Sequence, residues 1–124
     1  MLETTGTVAD QTLSILIDPG DTKSFISGAA LKRIKVKAVK QDEFSFMEMA
    51  SGAKQKVGGK VTGCALNLGE FFTRVNLYIT ILGSYDVVIG MDWLESHEAI
   101  LNCKKKRLIF VDDEGKRCVI VGRN

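Results

Sequence analysis

The sequence predicts a mostly β domain with two short helices. Three observations carry that reading: the chain holds one Pro and 12 Gly, its apolar residues fall in short alternating runs, and glycines or charge clusters separate the runs. Leu13, Ile15 and Ile17 alternate with Thr12, Ser14 and Leu16, a strand that becomes apolar on both faces as it nears Asp18. Cys64, Leu66 and Leu68 make a second such run. Val75, Leu77, Ile79 and Ile81, set against Arg74, Asn76, Tyr78 and Thr80, give a strand with one dry face and one wet face. "RLIFV" and "RCVIV" flank Asp112, Asp113, Glu114 and Gly115, a hairpin with an acidic turn.

The helices are expected at two places. Ser27 can cap "GAALKRI" through its hydroxyl. "MDWLESHE", Met91 to Glu98, has Asp92 near its start to complement the helix dipole and turns Trp93 and Leu94 inward. Between them, Phe44 to Val61 carries Ser51-Gly52-Ala53 and Gly58-Gly59, two glycine-bearing turns that suit a mobile hairpin better than a core strand. No internal repeat marks a solenoid or propeller.

At 124 residues and 13.6 kDa the chain suits one domain, residues 1–124. It starts and stops without tails, as a domain taken from a longer polypeptide does. A net charge of +2 and a pI near 8.4 do not make the concentrated basic face that nucleic acid requires. Lys104, Lys105, Lys106 and Arg107 read as a solvated strand entry, with little aromatic interleaving for base stacking. Cys64, Cys103 and Cys118 are odd in number and form no C-x-x-C pair, so they read as buried apolar packers in a reducing, cytoplasmic compartment, with no disulfide framework and no zinc site. His97 lacks a ligand-spaced partner and reads as a helix-end residue. No apolar stretch approaches the roughly 18 residues of a spanning helix, and the N-terminus is too polar for a signal peptide, so no membrane partner is expected.

Chemistry enters with "LSILIDPGDTKSFIS", Leu13 to Ser27. A buried strand that ends in Asp-x-Gly sets Asp18 at a tight turn, where the Gly20 amide can point at the carboxylate. The simpler alternative is a type II turn over Pro19-Gly20 with Asp18 as its first residue. Asp113-Glu114-Gly115 repeats the Asp-x-Gly pattern formally, but its acidic neighbours suit an exposed hairpin tip. "YDVVIGMDWL", Tyr85 to Leu94, taken alone is a buried strand, a close-packed glycine and a helix start.

Taken together, the two blocks resemble a known family. "LIDPGDTKSFIS" is similar to the Leu-Ile-Asp-Ser-Gly-Ala-Thr-His-Ser-Phe-Ile-Ser segment of retropepsin-like aspartic proteases from Ty3/gypsy-type long-terminal-repeat retrotransposons of plants. "DVVIGMDWLESHEAILNCKKKRLIF" resembles that family's Asp-Val-Ile-Leu-Gly-Met-Asp-Trp-Leu block with its trailing Lys-rich stretch. The middle of the chain, Lys35 to Thr80, matches in pattern and length only.

The resemblance implies an all-β, closed or nearly closed barrel that is half of an aspartic endopeptidase. Asp18 is then the catalytic residue, paired with Asp18 of a second identical chain, on an active-site loop that includes Pro19, Gly20, Asp21 and Thr22. Ser51, Gly52 and Ala53 take the place of the flap that closes over an extended polypeptide substrate. Ile89 and Gly90 support the aspartate loop from behind. Two carboxylates a few Å apart cannot both ionise cheaply, so they hold one proton between them. One acts as base toward water and the other as acid, with no metal and no cofactor. The implied setting is the processing of a retroelement polyprotein, in the cytoplasm or within a virus-like particle.

Two residues depart from the family pattern. Pro19 stands where Ser or Thr is usual and has neither hydroxyl nor N–H, so the usual cross-dimer bonds of that position cannot form. Asp21 replaces a small apolar residue and brings the dimer to four carboxylates near one site. Each such neighbour at about 5 Å is worth roughly 3 kcal/mol against ionisation at an effective dielectric near 20. Either Asp21 points to solvent, or the carboxylate pair titrates higher and the dimer weakens as the carboxylates ionise. Two readings follow: an acid-favouring, weakly dimeric peptidase, or a catalytically impaired domain of the same fold that serves dimerisation or peptide binding.

Overall fold

The computed structural model describes residues 1–36, 39–48, 52 and 54–123. In chain order the elements are β1 (Leu2–Val8), β2 (Gln11–Ile17), β3 (Phe25–Ser27), α1 (Gly28–Ile34), β4 (Val39–Glu48), β5 (Lys54–Leu68), β6 (Phe71–Thr80), β7 (Val87–Ile89), α2 (Met91–Ser96), β8 (Ile100–Asn102), β9 (Arg107–Val111) and β10 (Arg117–Val121). Strands β1-β2-β7-β3-β6-β5 form a ring that closes where Thr7 of β1 meets Asn67 of β5, and β4 adds outside β5. The expected closed, mostly β barrel with two short helices is thus the observed architecture. A separate sheet, β10-β9-β8, packs Leu108, Phe110 and Cys118 onto the barrel core.

Strand β2 lies between antiparallel β1 and parallel β7, with Ile17 opposite Ile89. A strand enclosed in this way needs apolar side chains on both faces, and Ile15, Leu16 and Ile17 are all buried. Helix α1 starts where the Ser27 hydroxyl accepts the Ala30 N–H and ends at Lys35 in the left-handed region, whose N–H returns to the Leu31 carbonyl. Helix α2 stops at Ser96, two residues short of the expected Glu98. His97 caps it by donating its N–H to the Trp93 carbonyl, and Glu98 turns out of the helix at φ +49°.

Three further expectations are corrected. Gly58-Gly59 lies inside β5 and makes no turn, although the pairing with β4 shifts register between Val57 and Gly59; the pairing with β6 shifts between Val61 and Cys64, where Gly63 takes φ +62°. Ile81 lies beyond the end of β6 and is 82% exposed, while Thr80 occupies the buried site and donates its hydroxyl to the Lys56 carbonyl at 2.9 Å. The dry face of β6 therefore ends before Ile81, because a hydroxyl with a backbone acceptor can be buried at the strand's last position. Cys103 is exposed in the β8–β9 turn, whereas Cys64 and Cys118 are buried and their burial pushes both thiols up.

Asp86, just before β7, joins four elements. Its carboxylate accepts the Ser14 N–H at 2.9 Å and the Arg33 guanidinium at 3.0 Å, and its carbonyl accepts the Ser27 N–H at 2.9 Å. Partial burial pushes the carboxyl up, but the bonds from Arg33 and Ser14 outweigh that and hold it below the usual carboxylate range. Arg33 is 47% exposed, so solvent screening limits what its ion pair adds to stability. Asp86→Asn is expected to cost about 1–3 kcal/mol in urea unfolding at neutral pH. The folded carboxyl titrates below its unfolded value near ~3.9, so this stabilisation is full above that pH and is lost as pH falls beneath it. The gap between wild type and variant should therefore narrow in acid.

Candidate active site

Asp18 follows directly on β2. Its N–H donates to the Ile89 carbonyl at 2.9 Å, which extends the β2–β7 pairing by one step. Its carbonyl accepts the Asp21 N–H at 3.1 Å and closes the turn Asp18-Pro19-Gly20-Asp21. Gly20 does not take a positive φ, so this is not the type II turn of the simpler sequence reading. The Gly20 N–H donates to Asp18 Oδ1 at 2.9 Å and fixes the carboxylate's orientation. Asp18 is half-buried, and Pro19 and Gly20 are exposed.

Beyond the turn the loop runs inward and is bonded to the segment after β7. The Asp21 carbonyl accepts the Met91 N–H at 2.7 Å, and the Thr22 carbonyl accepts the Asp92 N–H at 3.1 Å. Ser24 donates its N–H to Asp92 Oδ2 at 3.1 Å and its hydroxyl to Asp92 Oδ1 at 2.6 Å, and its oxygen accepts the Gly90 N–H at 2.9 Å. A Cβ on Gly90 would lie 2.2 Å from the Lys23 carbonyl oxygen and 2.6 Å from that of Asp21, so only glycine lets the two backbones meet here. Asp21 is 4% exposed, which removes the alternative in which its carboxylate escapes to solvent.

The loop has apolar surroundings on two sides. Leu16, two residues before Asp18, packs with Phe25, Val57 and Val88 in a cluster separate from the main core. On the other side, Pro19, Met91, Leu94, Ala99 and Leu101 line a cleft of about 280 Å³ rimmed by Glu95 and Glu98. The flap expectation is only partly covered. Strands β4 and β5 pair as far as Glu48 with Lys54, and Gly52 between them is exposed at φ +85°, while Ser51 and Ala53 lie outside the described residues.

Among the described residues no group of three or more His, Cys, Asp or Glu side chains could hold a metal ion. Asp113 sits at the β9–β10 hairpin tip, where its Oδ1 lies 2.8 Å from His97 Nε2, and the His97 ring stacks on Trp93 at 4.3 Å between centroids. Neither group approaches the Asp18 loop through any of these bonds. Sequence reasoning assigned Asp92 to the helix dipole and did not single out Ser24. Their link spans 68 residues, and no local pattern announces it.

Gly90→Ala must move backbone rather than a flexible side chain, and is expected to destabilise the fold by at least about 1–3 kcal/mol. Ser24→Ala leaves the buried Gly90 N–H without its acceptor and should cost a comparable ~1–3 kcal/mol, measured by urea unfolding.

Comparison with known proteins bears on the fold and the family. The retroviral aspartyl protease family matches residues 1–116. Protein DDI1 homolog 1 of Caenorhabditis elegans is 27% identical over 94 residues, which make up 76% of this chain and 24% of that protein, so the chain spans about a quarter of this curated relative. The retroviral protease-like domain of Ddi1 from Leishmania major superposes with a TM-score of 0.69 at 18% identity, over 97% of this chain and 94% of that one. EIAV protease complexed with an inhibitor gives 0.59 at 14% identity over 76% and 85%. A retropepsin-like aspartic protease from Rickettsia conorii gives 0.54 at 11% identity over 81% and 75%. The solved structures establish the shared fold, and the family match over most of the sequence shows that the chain belongs to the retroviral aspartyl protease family.

Proposed function

We propose that residues 1–124 form one peptidase domain that works as a homodimer, each copy contributing Asp18 to a shared site that cleaves an extended polypeptide. The observation that carries this reading is a single oriented carboxylate, Asp18, held by the Gly20 N–H on an exposed turn whose far end is braced by Ser24, Gly90 and Asp92. One such loop supplies half of an acid-base pair, and a second copy completes it. The apolar cleft beside Pro19 supports this, because it gives a second copy a dry surface next to the loop.

In the dimer the two Asp18 carboxylates hold one proton between them. The ionised member takes a proton from a bound water as that water attacks the scissile carbonyl. The protonated member first stabilises the developing oxyanion and then delivers its proton to the leaving nitrogen. Protons balance within the pair, so the chain's own carboxylates supply both transfers. By resemblance to the family, Ser51, Gly52 and Ala53 are the flap residues that would cover the substrate. Pro19, Gly20, Asp21 and Thr22 shape the loop, and Ile89 and Gly90 back it. The motif blocks around Asp18 and Gly90 favour a retroelement polyprotein as the parent chain and substrate, acting in the cytoplasm or inside a particle.

A second reading rests on Pro19 and Asp21. Pro19 offers no N–H or hydroxyl across a dimer axis, and the buried Asp21 adds a carboxylate near each Asp18, which together favour a domain that dimerises or binds peptide without cleaving it. Asp18→Asn separates the two. A peptidase loses fragment formation from its neighbouring polyprotein segments while keeping its fold, whereas a binding module shows no fragments in either form.

The extra carboxylate that each Asp21 brings is expected to weaken the dimer by like-charge repulsion, more toward neutral pH than in acid. Asp21→Asn should raise the dimer fraction at neutral pH several-fold, with cleavage rising alongside it. Sedimentation that shows a wild-type dimer growing stronger toward neutrality would contradict this.

A further inference from the structure

We propose that the open edge of β10 receives an extended acidic segment of another polypeptide, which joins the β8-β9-β10 sheet as an added strand. Burial alternates along these strands, and the outward residues form cross-strand rows. Ile100, Ile109 and Val119 make the central row, Asn102, Arg107 and Val121 lie to one side of it, and Val111 with Arg117 lies to the other. Ile100 is 59% exposed, Val119 48% and Val121 66%, so a continuous aliphatic strip faces solvent.

The strip is framed by cations and carries no carboxylate of its own. Lys104, Lys105 and Lys106 occupy the β8–β9 turn, which is shaped by the Lys105 N–H bonding to Asn102 Oδ1 at 3.0 Å. Arg123 comes alongside because the Gly122 N–H donates to the Lys106 carbonyl at 2.7 Å. The nearest carboxylates lie beyond the two ends of the strip: Asp112, Asp113 and Glu114 in the β9–β10 turn, where Asp112 accepts the Glu114 and Lys116 N–H groups and Asp113 faces His97, and Glu3, whose backbone bridges Arg123 and whose carboxylate accepts the Tyr85 hydroxyl. Among the described residues the ion pairs are Arg33–Asp86 and His97–Asp113, so Lys104, Lys105, Lys106, Arg107, Arg117 and Arg123 make no direct ion pair.

The backbone is also incomplete. Among the described residues β10 pairs with β9 on one side only, and its other edge has no strand partner until the Arg123 N–H reaches the Glu3 carbonyl at 2.8 Å. That open edge borders a groove of about 430 Å³, with Thr4 and Thr5 of β1 and the Leu68–Phe71 turn on the opposite bank. Glu70, the one carboxylate among the groove residues, sits on that far turn.

These features select the occupant. Single-stranded nucleic acid stacks its bases on aromatic rings, which this face lacks, and it would leave the aliphatic strip uncovered. A bilayer would leave the N–H and C=O groups of the strand edge unpaired in hydrocarbon. A second copy pairing β10 to β10 would gather the cations of both edges along one seam. An extended segment with carboxylates opposite Arg117 and near Arg107 and Arg123, and aliphatic residues opposite Val119 and Val121, satisfies charge, apolar strip and backbone together.

The probe is the end-blocked peptide Glu-Thr-Val-Thr-Val-Thr-Glu, labelled for fluorescence anisotropy against the full chain. It should bind at least ~10-fold more tightly than Lys-Thr-Val-Thr-Val-Thr-Lys and than its own backbone-N-methylated form, and Arg107→Glu with Arg117→Glu should reverse the charge preference. Arg117→Glu alone should shift it in the same direction, which covers the case of a double variant that does not fold. Equal binding of the acidic and basic peptides overturns the proposal, as does equal binding of the N-methylated form. Tighter binding of phosphatidylserine vesicles or oligouridine than of the acidic peptide also overturns it. So does self-association that is lost in the arginine variants.

Discussion

The hydrogen bonds that run from Ser24 to Gly90 and Asp92 hold the Asp18 loop in place. Strand β2 delivers Asp18 to the end of the barrel, but a strand end with a Pro-Gly turn is by itself a flexible place for a carboxylate. Bonding the loop's far side to the segment after β7 removes that freedom. The Ser24 hydroxyl bridges a backbone N–H and a carboxylate, at 2.9 Å and 2.6 Å, and the missing side chain of Gly90 lets the backbones approach closely enough for both bonds to form. The parallel pairing of β2 with β7 brings the two segments together in the first place. The barrel is therefore the scaffold, and this cross-brace converts its stiffness into a fixed carboxylate.

That arrangement changes the weight of the two unusual residues. The brace lies within one chain and does not pass through the Pro19 side chain, so loss of a hydroxyl at that position leaves the loop's rigidity intact. Pro19 instead stands at the edge of the apolar cleft, where its ring adds dry surface. Asp21 is tied to the loop more directly. Its backbone carbonyl accepts the Met91 N–H and is part of the brace, and the residue is 4% exposed, so its side chain is enclosed beside the turn that carries Asp18.

Much of this was legible in the sequence. A strand apolar on both faces at Leu16 and Ile17 announced a buried β2 with Asp18 at its end, and the Ser27 cap and the Asp112–Gly115 hairpin followed from local chemistry. What stayed hidden is long-range. Ser24 and Asp92 are ordinary polar residues until the fold sets them side by side, and Asp86 gains its role only when β2, β3 and α1 converge on it. The β6 pattern misled at Ile81 because period-two alternation takes no account of Thr80 finding an acceptor at Lys56. Cys103 misled because the usual burial of free cysteine is a tendency, and the lysine-rich turn that holds Cys103 is exposed.

The central claim is that one catalytic site draws an Asp18 from each of two chains. Mixing tests it most directly: the wild-type chain is held at a concentration where it is fully dimeric, an equal amount of the Asp18→Asn chain is added, and cleavage of the neighbouring polyprotein segments is followed. Random exchange of protomers sends half of the wild-type chains into mixed dimers that lack one carboxylate, so activity should fall to about half. Activity that stays unchanged after exchange would mean that each chain cleaves with its own aspartate alone, and would contradict the account.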